Sequence, residues 1–411
     1  MRHFAFTLLL FFVSLFSFAQ KKPATPSSKP TINNAPKPVV ADCSKAIKIN
    51  VSPGTAYGVT TTPKGFGELQ EFKAKSKLTF EEEHNSAWYL LTIGKEGELV
   101  FDITPQDTTN DYDFLLYNYT DSAFCDALHK NKFKPIRSNL SNIKRSIKGV
   151  TGLQANTDKN TIGEGVGIAF SNSIDVKKGD QYMLILDNVT PEGKGHTIRF
   201  YFLKDVEIKG KVINSDSVAV EADITISDNN GNTVLETKSD KNGNYKINTS
   251  LRENQNYSFS IISENTFPDV KTINTKTHKD TNDIRVMLPK LKKGEKYKLG
   301  NINFFGNSDI LLPESKPSAE ALYKLMKKNK SMTITIQGHV NDPGSRSKAE
   351  QIQLLSDARA KTVYYYLINK GIDKTRMKTE GLSNKKMLFP NPKNEYEEGE
   401  NRRVEIKVMS L

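Results

Sequence analysis

The chain has 411 residues, 36% of them hydrophobic and 26% charged, more than one ordinary domain of about 100–200 residues requires. Lys and Arg outnumber Asp and Glu by 59 to 47, a formal charge of +12 that suits an anionic partner such as a polyanionic wall, a membrane surface or nucleic acid. Two Cys and six His leave little room for a zinc or redox scaffold, and a helical membrane protein is excluded because the one long apolar run lies at the extreme N-terminus.

That run comes first. Met1-Arg2-His3, the apolar stretch Phe4 to Phe18 and the small residues Ser17 and Ala19 describe a secretory signal, with cleavage expected after Ala19. The stretch is shorter than the roughly 20 residues that span a bilayer. No Cys stands at the cleavage point for a lipid anchor. Export removes nucleic acid from the expected partners. It also gives Cys43 and Cys125 a meaning, since an oxidising compartment lets them form one disulfide; the alternative is two buried thiols. Residues 20–40, with five prolines and four lysines, read as a stiff, extended, solvated spacer.

Residues 41–204 read as β structure. Short runs rich in β-branched and aromatic residues recur at Trp88–Ile93, Glu98–Ile103, Phe114–Tyr119, Gly165–Ser171, Gln181–Asp187 and His196–Leu203. Turn clusters such as Asp107-Thr108-Thr109-Asn110-Asp111 separate them, the pattern of a sandwich or jelly roll. Asp111 and Asp113 alternate, so they share one strand face. They are either half of a calcium site or a solvated strand edge. Glu83-His84-Asn85-Ser86-Ala87-Trp88-Tyr89, Asp111–Tyr117 and Val176–Tyr182 resemble the pre-peptidase C-terminal type of jelly roll.

Residues 206–289 predict a second β unit, with strands at Val206–Val212, Ala222–Asp228, Thr233–Lys238, Asn244–Asn248 and Tyr257–Ser263. Asn229–Asn232 and Asp240–Asn244 are hairpin turn chemistry. No carboxylate follows near the twelfth position to make either a calcium loop. The segments Ile208–Val212, Ala222–Ser227, Ser239–Tyr245 and Tyr257–Ile261 resemble the carboxypeptidase regulatory-like sandwich, which implies a spacer or binding module without chemistry.

The last 115 residues alternate. Ile302–Phe305, Met332–Gln337, Lys378–Gly381 and Arg402–Val408 predict strands, and Lys316–Lys328 and Lys348–Asn369 predict helices, the second stopped by Gly371. An α/β sandwich follows. On the long helix, Leu355, Arg359, Val363 and Leu367 stand four apart and share a face. A guanidinium on an apolar stripe is costly unless paired. Its fork suits a carboxylate, either internal, from Asp342 or Glu405, or from a ligand.

Ile336-Gln337-Gly338-His339-Val340-Asn341, then Leu355–Val363, Gly371-Ile372 and Asn401-Arg402-Arg403-Val404-Glu405-Ile406 resemble the OmpA-like C-terminal family over residues 297–411. The resemblance implies a βαβαββ module that binds peptidoglycan without covalent attachment. In that family an aspartate after the second strand and an arginine on the following helix grip the diaminopimelate of the stem peptide. Arg359 matches the arginine. Asn341 stands in the aspartate position with Asp342 after it, and Ile352 replaces a family asparagine. Asn341 can offer a carbonyl to an ammonium, and Asp342 can supply the charge after a small loop shift. Arg402 and Arg403 open the last strand, where alternation sends one inward; Arg403 joins Arg359, Asn341 and Asp342 as a candidate ligand residue. His339, with no nucleophile beside it in sequence, reads as a structural hydrogen-bonding residue. In this region Lys and Arg outnumber Asp and Glu by 20 to 13, which helps hold it near an anionic wall.

The expected architecture is therefore multidomain: a signal peptide (1–19), a linker (20–40), two β-sandwich domains (41–204 and 206–289) and an α/β sandwich (297–411). The expected function is a non-catalytic periplasmic wall-binding protein. It docks on peptidoglycan, associates with the outer membrane, and presents its β modules to an outer-membrane or secreted partner, with no cofactor. Two alternatives stand beside it: an integral outer-membrane barrel with a periplasmic wall-binding domain, and an adaptor of a secretion or motility machine. A hydrolase is disfavoured, because no HExxH or nucleophile-elbow motif occurs.

Overall fold

The computed structural model describes residues 41–411 except 62–64, 73–77, 142–148, 156, 166, 192, 277–282, 301 and 346. The signal and spacer expected over residues 1–40 lie outside the described residues. What is described is mostly β, in four sheets, with helices concentrated toward the C-terminus.

In chain order the elements are β1 (Ile47–Val51), β2 (Ala56–Gly58), β3 (Ser86–Ile93), β4 (Gly97–Pro105), β5 (Tyr112–Asn118), α1 (Phe124–His129), β6 (Arg137–Ser141), β7 (Thr151–Gln154), β8 (Thr161–Gly165), β9 (Phe170–Asn172), β10 (Ile174–Val176), β11 (Gln181–Asn188) and β12 (His196–Asn214). One sheet runs β1-β3-β11-β5-β6-β8. A second contains β4, β7, β9 and β10 around the long strand β12. Tyr89, Leu91, Phe114, Leu184 and Leu186 from the first sheet and Phe101, Ile103, Ile198, Phe200 and Phe202 from the second share one apolar core. Behind the first sheet, Trp88, Phe72, Phe80, Phe124 and the Cys43–Cys125 pair form another. The expected disulfide is present, with an S–S distance of 2.05 Å and Cα atoms 5.8 Å apart.

Two sequence readings change here. The run Gly165–Ser171 is not one strand: β8 pairs with β6 in one sheet and β9 pairs with β7 in the other, so the chain crosses between sheets where a continuous strand was expected. The reading also broke a strand at Lys204-Asp205, yet β12 continues unbroken to Asn214. Its alternation survives the charged pair, because His196, Ile198, Phe200, Phe202, Val206, Ile208 and Val212 are all buried on the even face. A period-2 pattern is defined by position rather than by any one polar residue.

There follow β13 (Asp223–Ser227), β14 (Thr233–Lys238), β15 (Asn244–Arg252), β16 (Asn256–Ile262), β17 (Asp269–Asn274) and β18 (Val286–Leu288). β15 and β18 pair with β12, while β14-β13-β16-β17 form a sheet of their own. Ile208, Val212, Ile224, Ile226, Tyr245 and Phe259 fill the space between.

The C-terminal elements are β19 (Lys296–Lys298), α2 (Lys316–Lys328), β20 (Thr333–Gly338), α3 (Ala349–Asn369), β21 (Met377–Gly381), α4 (Glu395–Asn401) and β22 (Val404–Ser410). The sheet order is β19-β22-β20-β21, with β20 and β21 parallel. Ile302–Phe305, expected as a strand, makes only an isolated bridge from Phe304 to Leu311. Lys296–Lys298 forms the edge strand in its place, and Ile302 and Phe304 serve the core as buried loop residues. Helix α3 presents Ile352, Ser356, Ala360, Val363 and Leu367 inward and ends where Gly371 takes φ 93°, a left-handed turn that glycine adopts without steric cost. Helix α2 packs onto β16 and β17 through Ala321, against Ile262 and Val270. Lys324–Glu236 at 2.6 Å and Lys328–Asp223 at 2.8 Å flank that contact.

Candidate functional site

Arg359 lies midway along α3, only 1% exposed. The close approach of helix to sheet brings it to the exit of β20. Gly338 ends that strand, and a Cβ there would sit 2.1 Å from the Ser356 carbonyl oxygen of α3. The glycine therefore lets the helix backbone come within contact of the strand end. Arg359 Nη1 donates to the His339 carbonyl at 3.2 Å, and Nε donates to the Ser308 carbonyl at 3.1 Å. The guanidinium carbon stands 4.9 Å from the centre of the Phe304 ring, within cation–π range.

All three partners are neutral. Among the described residues no carboxylate lies within 4 Å of Arg359, so neither internal partner weighed from the sequence takes it. Burial lowers its pKa to about 10, the charge of Arg402 acts in the same direction, and Asp309 opposes both. A buried cation with no carboxylate within 4 Å among the described residues is an unusual expense.

The other candidates are engaged as follows. Glu405 binds Arg403, whose Nε donates to its Oε1 at 2.7 Å, and Arg403 Nη2 donates to the Lys386 carbonyl at 3.0 Å. His339 Nε2 lies 3.4 Å from Glu405 Oε2. That contact lowers the Glu405 pKa to about 2 against the effect of burial, with help from Arg403. Arg403 is thus buried in an internal ion pair, while Arg402 is half-exposed and pairs with Glu398 at 3.2 Å. Both precede β22 rather than opening it. Asp342 is 6% exposed; its two carboxylate oxygens accept from the Ser347 backbone N–H and hydroxyl, each at 3.3 Å. Asn341 is half-buried and accepts from Asn401 Nδ2 at 2.9 Å. Around the two runs Pro343–Ser345, a tight turn in which Gly344 takes φ 71°.

The structure therefore gathers Arg359, Asn341 and Asp342 around the end of β20 and places Arg403 in the packing behind. Phe304, Ser308 and Asn401 were missed by sequence reasoning. Asn401 stood in the Asn-Arg-Arg run quoted from the sequence; Phe304 and Ser308 carried no signal, because they reach the helix only through a loop.

In the first β region, Asp113 is half-buried and faces a cavity of about 290 Å³ shared with Glu82, His84, Glu164 and Asp187. Burial and the charges of Asp111, Asp187 and Glu164 push its carboxyl pKa well up. Asp111 does not line this cavity. Among the described residues no three His, Cys, Asp or Glu side chains group as metal ligands.

Residues 303–402 match the model of the OmpA family. No curated protein matches the chain. Among solved structures, the chain is similar to an outer membrane protein from Borrelia burgdorferi B31, with 26% identity over 28% of this chain and 87% of that one and a TM-score of 0.22. It is also similar to the periplasmic domain of Helicobacter pylori MotB, with 22% identity over 28% and 81% of the two chains and a TM-score of 0.25. The peptidoglycan-associated lipoprotein from Burkholderia pseudomallei gives 20% identity over 26% and 86%, with a TM-score of 0.23.

Proposed function

We propose that residues 297–411 bind peptidoglycan, taking a stem-peptide carboxylate on Arg359, and that the chain acts in the periplasm without catalysis. The observation that carries this reading is the buried guanidinium of Arg359, held by two carbonyls and a ring and, among the described residues, without a carboxylate within 4 Å. A ligand carboxylate supplies the missing charge and replaces a neutral acceptor with an ionic one, a roughly twofold stronger hydrogen bond. The OmpA family match over residues 303–402 agrees with that chemistry.

In this reading residues 41–204 and 206–289 are two β-sandwich units. They stand between the wall and an outer-membrane or secreted partner, and an N-terminal signal over residues 1–19 directs export. The excess of Lys and Arg after residue 297 adds attraction to an anionic wall.

The test is co-sedimentation with purified sacculi. Wild-type protein is expected in the pellet and Arg359→Ala in the supernatant, with circular dichroism showing that both are folded. Equal retention of a folded Arg359→Ala protein removes the reading.

A further inference from the structure

The sheet of the C-terminal region buries one face and offers the other to solvent. Tyr297, Ile334, Ile336, Met377, Ile406 and Val408 turn into the core beneath α2 and α3, and alternation sends their neighbours on the four strands to the opposite face. Pairing then lines those neighbours up in rows across the sheet. One row reads Lys296, Lys407, Thr335 and Lys378, each directly opposite the next on β19, β22, β20 and β21. With about 4.8 Å between strands, the row is about 14 Å long.

The next row, Lys298, Glu405, Gln337 and Glu380, satisfies itself. Lys298 pairs with Glu400, Glu405 is held by Arg403 and His339, and Gln337 Nε2 donates to Glu380 Oε2 at 2.5 Å. On the other flank the Thr333 and Ser410 hydroxyls bond each other at 2.8 Å. The lysine row has no such cover. Among the described residues Lys296 comes no closer than 4.0 Å to a carboxylate, that of Glu405, and Lys407 and Lys378 have none within 4 Å. Asp269, which shares a cleft with Lys296 at the sheet edge, is paired with Lys271 at 3.2 Å. Like charges directly opposite one another in a sheet are destabilising, so Lys296 beside Lys407 carries a cost that an anion lying along the row removes.

We propose that this sheet face is a docking surface for a linear acidic glycan, a polymer with one carboxylate on each sugar, which lies across the strands along Lys296, Lys407, Thr335 and Lys378. The carboxylates meet the three ammonium groups, and the Thr335 hydroxyl bonds the sugar between them. The width of the positive strip selects this occupant. A membrane surface would cover both rows at once and press its phosphates onto Glu380, which is exposed. A single extended chain follows the lysines and leaves the acids beside it in water. Arg359 belongs to α3, on the other face of the sheet, so this contact is independent of the one proposed above.

The test is calorimetric titration of the full chain with oligogalacturonate, which carries one carboxylate per sugar, and with its methyl ester, which carries none. Wild type is expected to bind the acid and not the ester, with affinity falling as salt rises. Lys296→Gln, Lys378→Gln and Lys407→Gln combined should weaken binding about tenfold or more, the sum of three exposed ion contacts. Lys177→Gln, Lys178→Gln and Lys241→Gln combined remove the same charge from exposed positions in the β regions and should leave binding unchanged, as should Arg359→Ala. Four results each overturn the proposal: no binding by wild type, equal losses in the two triple variants, loss in a folded Arg359→Ala protein, or tighter binding to phosphatidylglycerol vesicles than to the oligomer. Wall binding is judged by sacculus co-sedimentation of Arg359→Ala, so the two proposals fail separately.

Discussion

Arg252 and Asp102 meet through two N–H···O contacts of 2.6 Å each, across a strand that belongs to neither. Arg252 ends β15, Asp102 lies in β4, and β12 runs between them in the sheet. The guanidinium crosses over the Tyr201 ring of β12 at 4.2 Å. The fork thus ties the strand following the hairpin at Asp240–Asn244 to the first β region, while Lys95 and Glu253 make a second tie at 2.6 Å.

Arg252→Ala is expected to cost about 1–3 kcal/mol, between the values for surface and buried pairs because both side chains keep some exposure. Arg252→Lys should recover only part of it, since an ammonium cannot make the paired contact. Urea midpoints for the three proteins measure this; equal midpoints would remove the clamp from the argument.

The disulfide closes 82 residues. Reduction, or Cys43→Ser with Cys125→Ser, should lower stability by about 4.5 kcal/mol on the chain-entropy estimate. The check is chemical denaturation with and without reductant, and a loss below about 1 kcal/mol would contradict that estimate.

Trp88 is the one tryptophan in the chain, and its Nε1 donates to Glu83 Oε1 at 3.3 Å. Burial and the Glu71 charge raise the Glu83 pKa to about 8. In the fold this carboxyl keeps its proton where the unfolded chain has lost it. The linked stability is therefore full below about pH 4.5 and falls as pH rises through about 8. Melting temperature should decline between about pH 4.5 and 8 and level off above that, and Trp88 emission should titrate near 8. Glu83→Gln should abolish the emission titration and flatten the decline, whatever its absolute stability. A wild-type emission that is flat over this range counts against a proton on Glu83.

Gly338→Ala places a methyl group against the Ser356 carbonyl, and backbone cannot step aside as a flexible side chain can. The expected cost is about 1–3 kcal/mol, typical of overpacking, with weaker sacculus binding because His339 and Arg359 shift together. Calorimetry and co-sedimentation read the two effects, and an unaltered thermogram would show that the helix tolerates the shift.

Much of the fold was legible where periodicity is strong. Helix α2 over Lys316–Lys328 and strand β14 over Thr233–Lys238 match their predicted bounds, because regular alternation of apolar residues reports local backbone geometry directly. The short helices α1 and α4 were not anticipated. α4 is capped by Asn394, whose side chain accepts from the Glu397 N–H at 2.9 Å, yet it buries only Asn401, so it lacked the apolar stripe that marks a helix.

The site divides in the same way. That Arg359 is out of place on its helix is a property of residue type and spacing, and the linear chain carries it; that Asn341 stands where an acid is expected is what the family resemblance implies. Which groups surround the guanidinium, whether Glu405 answers it or Arg403, and which end of the Asn341 amide meets Asn401 depend on segments from residues 304 to 405 meeting in space. Hydrogen-bond direction is set by the partner at hand, and a partner tens of residues away is chosen only when the chain folds.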